Sequence, residues 1–274
     1  MKPIVVSTSP TANRRVDPAP ILLTGTLDSI IADAKAAGAD GVELRLVEGE
    51  RSQVPIIKQK IADAGLIIGG ISTGRMAREG GHCLSSPDPT VRSKAAEALC
   101  ILVDMAAELG TDILVGSAKG QQAQDEEVEA YTDRLADPLL VANNYSVGTG
   151  VRIHIEAINR FEINALTTGR ETLDFITTYG LTNCFVHLDT FHTNIEEVDP
   201  VGAILECGDK LGYFQFADSN RRWPGAGHIN FAPFEDALRA VNYAGPLSIE
   251  CQPIPDGVTA ARNGIAFLRS TIKL

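Results

Sequence analysis

Glu156, Asp189, Gln215 and Glu250 stand at intervals of 33, 26 and 35 residues along the chain. Each closes a short apolar run: Val151–Glu156, Cys184–Asp189, Leu211–Gln215 and Pro246–Glu250. An interval of that size is roughly one strand-plus-helix unit of a barrel of about 250 residues. Side chains on the tips of successive parallel strands converge on one axis. Three carboxylates and one amide oxygen would then form an all-oxygen set. Such a set suits a hard divalent ion, Mn2+ or Mg2+, better than Zn2+. A carboxylate at such a site can also accept and return a proton.

The elements that must carry these tips alternate from end to end. Strands are expected at 4–7, 41–46, 66–71, 112–115, 151–156, 184–189, 212–217 and 246–251. Helices are expected at 26–37, 54–64, 90–109, 125–144, 170–179, 197–207, 233–243 and 258–271, with Gly38, Gly65 and Gly110 as stops. Pro138 should kink or restart the fourth of these. Continuous apolar strands suit a parallel sheet covered by helices. Eight such units predict an α/β fold, a single-domain (β/α)8 TIM barrel over residues 1–274. No G-x-G-x-x-G turn is present, so a dinucleotide-binding sheet lacks its phosphate loop. The longest connections, 72–88 and 218–232, fall after the third and seventh strands, on the face where such barrels work.

Bulk properties narrow the partners. The 274 residues are 44% hydrophobic and 22% charged, with a net charge of −11. A nucleic-acid binder needs a basic footprint, and the chain offers nothing denser than pairs such as Arg221-Arg222, so no nucleic-acid partner is expected. No apolar run approaches the roughly 18 residues of a membrane span, and the start of the chain reads as a strand. The five cysteines are scattered, with no C-x-x-C pair. Free thiols in a cytoplasmic protein are the expectation.

His154 and His187 each stand two residues before an acid, Glu156 and Asp189. Strand alternation puts each on the same face as its acid, one layer deeper. Two readings stand: partners that orient the acids, or hydrogen-bonded core histidines. Glu43, at the end of the second strand, reads as a supporting or structural acid. His228 reads as an organiser of its loop.

Three stretches carry a family resemblance. Ile155-Glu156-Ala157-Ile158-Asn159-Arg160-Phe161-Glu162 resembles the fifth-strand motif of the metal-dependent ketose 3-epimerases. The eleven residues from His187 to Glu197 are closer still to their sixth-strand motif. Ala217–Arg221 and Pro224–His228 resemble their seventh-strand loop. The group lies within the xylose-isomerase-like sugar isomerase/epimerase superfamily and includes D-tagatose 3-epimerase, D-psicose 3-epimerase and 5-keto-L-gluconate epimerase. The resemblance runs through residues 151–255, more loosely at Ser7-Thr8-Ser9 and Ser85–Pro89.

The resemblance implies that Glu156 and Glu250 are metal-binding carboxylates that also act as acid and base. It implies Asp189 as the third ligand and Gln215 at a position where these enzymes usually carry histidine. Glu162, His192 and Arg221 fall where family members contact substrate hydroxyls. The implied activity is epimerisation of a ketose or keto-sugar acid at the carbon next to the carbonyl. The partner is then a small-molecule sugar, and related barrels commonly pair into homo-oligomers. Two alternatives use the same residues. One is an aldose–ketose or hydroxypyruvate-type isomerase. The other is a sugar-binding barrel whose catalysis is impaired by Gln215. A related DNA-repair endonuclease would need many histidine ligands and a basic face, against five histidines and −11 here. The loops Ser9–Ala19, Arg45–Gln53 and Thr73–Ser86 are expected to choose the substrate.

Overall fold

Each parallel strand sends one set of side chains outward onto helices and the other into the ring, because successive residues face opposite ways. In the computed structural model, which describes residues 1–10 and 20–274, these strands close into a barrel. Most of the Ser9–Ala19 loop lies outside the described residues. The ring consists of β1 (Ile4–Pro10), β3 (Gly41–Arg45), β4 (Ile67–Ser72), β5 (Ile113–Val115), β6 (Ile153–Glu156), β7 (Cys184–Asp189), β8 (Leu211–Phe216) and β9 (Leu247–Ile249). All neighbours run parallel, and β1 pairs with both β3 and β9, which leaves the ring without a free edge. A short extra strand, β2 (Leu23–Gly25), extends β1 beyond the reach of β9.

The outward set forms the main core. Val42 and Leu44 of β3, Ile153 and Ile155 of β6, Val186 and Leu188 of β7, and Phe214 and Phe216 of β8 all join it. They pack on the covering helices, among them α1 (Leu27–Ala37), α2 (Val54–Asp63), α4 (Pro89–Leu109), α5 (Val128–Ser146), α6 (Gly169–Thr178), α8 (Pro200–Cys207), α9 (Ala232–Ala240) and α10 (Gly257–Thr271). The alternate residues of the same strands are polar and fill the ring: Glu43, Arg45, His154, Glu156, His187, Asp189, Gln215 and Ser248 are all buried. A ring filled with ionisable groups is costly to desolvate unless they pair with one another or with ligands.

The expected eight units are all present. Two short helices were not expected: α3 (Gly74–Gly80) inside the 72–88 connection, and α7 (Thr190–Glu196) directly after β7. Each has only seven residues, too short to show helical periodicity. Pro138 does not restart its helix; Val128–Ser146 is a single element that contains it. No helix among the described residues is long and apolar enough to cross a membrane.

Candidate active site

The ends of β6 to β9 open into a cavity of about 380 Å3, lined by Glu156, His187, His192, Gln215, Arg221 and Glu250 among others. A larger cleft of about 790 Å3 lies between α4 and α5, outside the ring, and none of the strand-end acids reaches it. The mouth cavity therefore gathers the candidate groups despite its smaller size. The structure brings all four expected tips together, with Asp189 directly opposite Gln215 in register.

Arg221 is the centre of the ion network. Its guanidinium donates to Asp189 Oδ2 at 2.5 Å and to Glu250 Oε2 at 2.7 Å. Arg45 donates to the other Glu250 oxygen at 2.6 Å. Asp189 also caps α7, accepting from the Phe191 N–H at 2.7 Å. The left-handed backbone at Arg221 (φ 59°) and the loop's own bonds place the guanidinium. Asp218 accepts N–H groups of Ser219, Gly225 and Ile229, and Arg221 N–H donates to the Asp218 carbonyl. The Arg221 guanidinium lies over the Phe191 ring at 4.8 Å. Burial works against its charge, but Asp189 and Glu250 more than compensate and push its pKa further up. His228 accompanies this loop, its Nδ1 at 2.9 Å from Ser219 Oγ.

Glu156 is held differently. Burial alone would raise its pKa, but His187, His192 and Arg221 around it outweigh that and hold it at about 2. It is ionised at neutral pH. Its backbone carbonyl accepts from Lys119, a fully buried lysine whose own pKa burial lowers to about 8. His192 Nε2 lies 3.5 Å from Glu156 Oε1. Asn159 fixes the orientation of that imidazole. Its Oδ1 accepts the Phe161 N–H, so its Nδ2 faces the other way and donates to His192 Nδ1 at 2.6 Å and Glu162 Oε1 at 3.3 Å. His192 Nδ1 is therefore the acceptor, and Nε2 carries the proton and points at the cavity as a donor. Glu162 stands exposed at the rim.

Beneath Gln215, Glu43 Oε2 accepts three bonds, from Ser248 Oγ (2.8 Å), Gln215 Nε2 (2.9 Å) and Tyr213 OH (3.1 Å). Complete burial, with Glu250 adding to it, raises the Glu43 carboxyl to about 7 despite these donors. Because the amide nitrogen of Gln215 is committed to Glu43, its oxygen is left over, buried and without a hydrogen-bond partner among the described residues.

The two histidines with identical spacing separate. His154 does not support Glu156; its Nε2 sits 3.0 Å from Asp112 Oδ2, at the opposite end of the barrel. It is a core histidine. Among the described residues His187 has no hydrogen-bond partner at either ring nitrogen, although it is buried and reaches the cavity. Burial lowers its pKa, against the pull of Glu156 and Asp189.

The residues present fit a divalent ion. Ligand atoms of Glu156, Asp189 and His192 lie within 4.8 Å of one another. The orphaned Gln215 oxygen adds a neutral donor to the carboxylates. Arg45, Lys119 and Asn159 escaped the sequence reading. Arg45 meets Glu250 across the barrel closure, 205 positions away, and nothing local signals that. Asn159 had a signal, since it lies within the fifth-strand motif between Glu156 and Glu162.

Known proteins place the chain in a family. The profile of a family described as xylose isomerase-like TIM barrel matches residues 31–271. The chain is 35% identical over 227 residues to L-ribulose 3-epimerase of Mesorhizobium japonicum, covering 82% of this chain and 75% of that protein. It is 32% identical over 229 residues to L-ribulose 3-epimerase of Methylomonas sp., covering 80% and 76%. A solved L-ribulose 3-epimerase structure superposes with a TM-score of 0.83 at 27% identity, over 99% of this chain and 95% of that one.

Proposed function

The chain belongs to the xylose isomerase-like TIM-barrel family, and from that premise we propose that it is a metal-dependent ketose epimerase. The reaction inverts the carbon next to the carbonyl, with Glu156 and Glu250 as the acid–base pair. The observation that carries this reading is the placement of those two carboxylates. They sit on β6 and at the end of β9, three places apart in an eight-place ring, and line one cavity. A substrate between them presents a different face to each. A carboxylate that removes the proton from one face, with the other returning it to the opposite face, inverts the carbon. Epimerases of L-ribulose and other ketoses among the relatives support a free ketose as the substrate.

Glu156, Asp189, Gln215 and Glu250 are the residues that would hold Mn2+ or Mg2+. When bound, such an ion polarises the substrate carbonyl and offsets the charge of the enediolate. The chain's own groups do the rest. The His192 Nε2–H, fixed by Asn159, is a donor for a substrate oxygen. Once it turns from Glu156 to substrate, Glu156 loses one stabilising partner and becomes a stronger base. Arg221 holds Asp189 and Glu250 in place and keeps N–H groups at the cavity wall. Glu162 accepts from substrate hydroxyls at the rim.

Incubation of manganese-reconstituted protein with L-ribulose and a panel of other ketoses tests this reading. The expected product is the ketose inverted at C3, lost on chelation and regained with Mn2+. An aldose product would instead point to one carboxylate working on one face, which is isomerisation. No turnover of any ketose, with or without metal, contradicts the proposal.

A further inference from the structure

We infer that His187 supplies a nitrogen ligand to the metal ion, from the floor of the mouth cavity; this rests on the metal-dependent reading above. The starting observation is an imidazole with nothing to bind. His187 is 1% exposed, and neither ring nitrogen has a hydrogen-bond partner. Leaving a buried polar group unsatisfied costs about 1–3 kcal/mol, and native structures rarely leave one so. The ring is not simply sealed in a core, because it reaches the same cavity as Glu156, Gln215 and Glu250. The groups that bear on it electrostatically are Glu156, Asp189, Glu250 and His192, all of them site residues.

Position explains how it joins them. His187 faces Glu156 in register across β6 and β7. It lies two residues below Asp189 on the same face, about 6–7 Å along the strand, and an imidazole leaning along the strand closes part of that gap. Tyr213 packs edge-on against it, with centroids 5.0 Å apart and planes at 84°, which sets the ring orientation. The Tyr213 hydroxyl donates to Glu43 and makes no hydrogen bond to either His187 nitrogen.

His192 is the competing nitrogen, since it lies closer to Glu156 and Asp189. Its lone pair is not free. Nδ1 is occupied by the Asn159 amide, and Nε2 carries the proton. Inside the same barrel His154 shows what a structural histidine looks like: it is equally buried, with Nε2 anchored on Asp112 and only Nδ1 left over. His187 has no such acceptor.

The test is pulsed EPR on the full chain, stripped with a chelator and reloaded with Mn2+, together with titration calorimetry of Mn2+. The expected spectrum shows 14N coupling from a coordinated imidazole. That coupling disappears in His187→Leu and survives in His192→Gln. Mn2+ affinity falls in His187→Leu by at least the roughly 10–100-fold that loss of a residue supporting a ligand costs. Bound Mn2+ with no nitrogen coupling overturns the inference and leaves the metal-dependent reading standing. Coupling lost in His192→Gln overturns it in the same way, even if His187→Leu fails to fold. No Mn2+ bound by the wild-type chain overturns both.

Discussion

The two ends of this barrel use the same residue types to opposite effect. At the closed end, Asp112 receives the Arg152 backbone N–H at 2.8 Å and two guanidinium bonds at 2.8 and 3.1 Å, and His154 adds a contact at 3.0 Å. At the mouth, the buried Glu43 Oε1, the Gln215 oxygen and both His187 nitrogens are left without partners. Acid, base and imidazole bonded to one another stabilise a fold, even with His154 Nδ1 left over. The same groups left partly unsatisfied in a cavity keep bonding capacity for something else. Stability is thus concentrated at the closed end and open bonding capacity at the mouth, a division that substitutions at either end can break.

The largest expected effect is on chemistry alone. Glu156→Gln should lower kcat/KM for a ketose by about 10²–10⁴-fold, the usual contribution of general acid–base help. Its thermal midpoint should stay close to that of the wild type. A variant that melts early while retaining turnover per folded molecule would move Glu156 to the structural side.

The mirror image comes next. Asp112→Asn should destabilise the protein by about 1–2 kcal/mol, because the pair is only part-buried, with Arg152 39% and Asp112 17% exposed, and what is lost is mainly charge-assisted hydrogen bonding. Turnover per folded molecule should be unchanged. The Asp112 carboxyl is subject to burial, which raises its pKa, but His154 and Arg152 hold it at about 2, below its ordinary 3.8. The sign follows. The stabilisation is present above pH 3.8 and is lost as pH falls through about 2. Denaturation curves of the wild type and Asp112→Asn should therefore converge in that window. Parallel curves down to pH 2 would contradict the assignment.

A smaller effect separates positioning from contact. Asn159→Ala frees the His192 tautomer and should lower kcat about tenfold, or about 1.4 kcal/mol in the barrier. KM should change less. Equal loss in kcat and Mn2+ affinity would mean that Asn159 acts through the metal instead.

The smallest expected effect is a change of slope. Burial raises the Glu43 carboxyl to about 7 from 4.5, so its contribution is greatest below pH 4.5 and is lost as pH rises through about 7. That sign is opposite to the one at Asp112. Stability of the chelator-treated protein should fall over this window relative to Glu43→Gln. A flat difference would place Glu43 among the satisfied groups.

Much of this was legible in the sequence. The period of two within each strand is a local property, so the inward set Glu156, Asp189, Gln215 and Glu250 follows from residue order alone. The strand–helix alternation fixed the ring in the same way. Pairings across the ring were not legible. Arg45 meets Glu250, and Glu43 meets Ser248, only because β1 closes against β9. Likewise His154 and His187 share one spacing, and what separates them is Asp112, 42 positions from His154. Short helices such as α3 and α7 were missed because seven residues hold too few turns to show a stripe.

The central claim is that the mouth acids move a proton at the carbon beside a carbonyl. Turnover of L-ribulose by the manganese-loaded protein in deuterium oxide, followed by proton NMR, tests it most directly. The account predicts deuterium at C3 of the inverted product, and no exchange in Glu156→Gln. Exchange or inversion that persists in Glu156→Gln would contradict it.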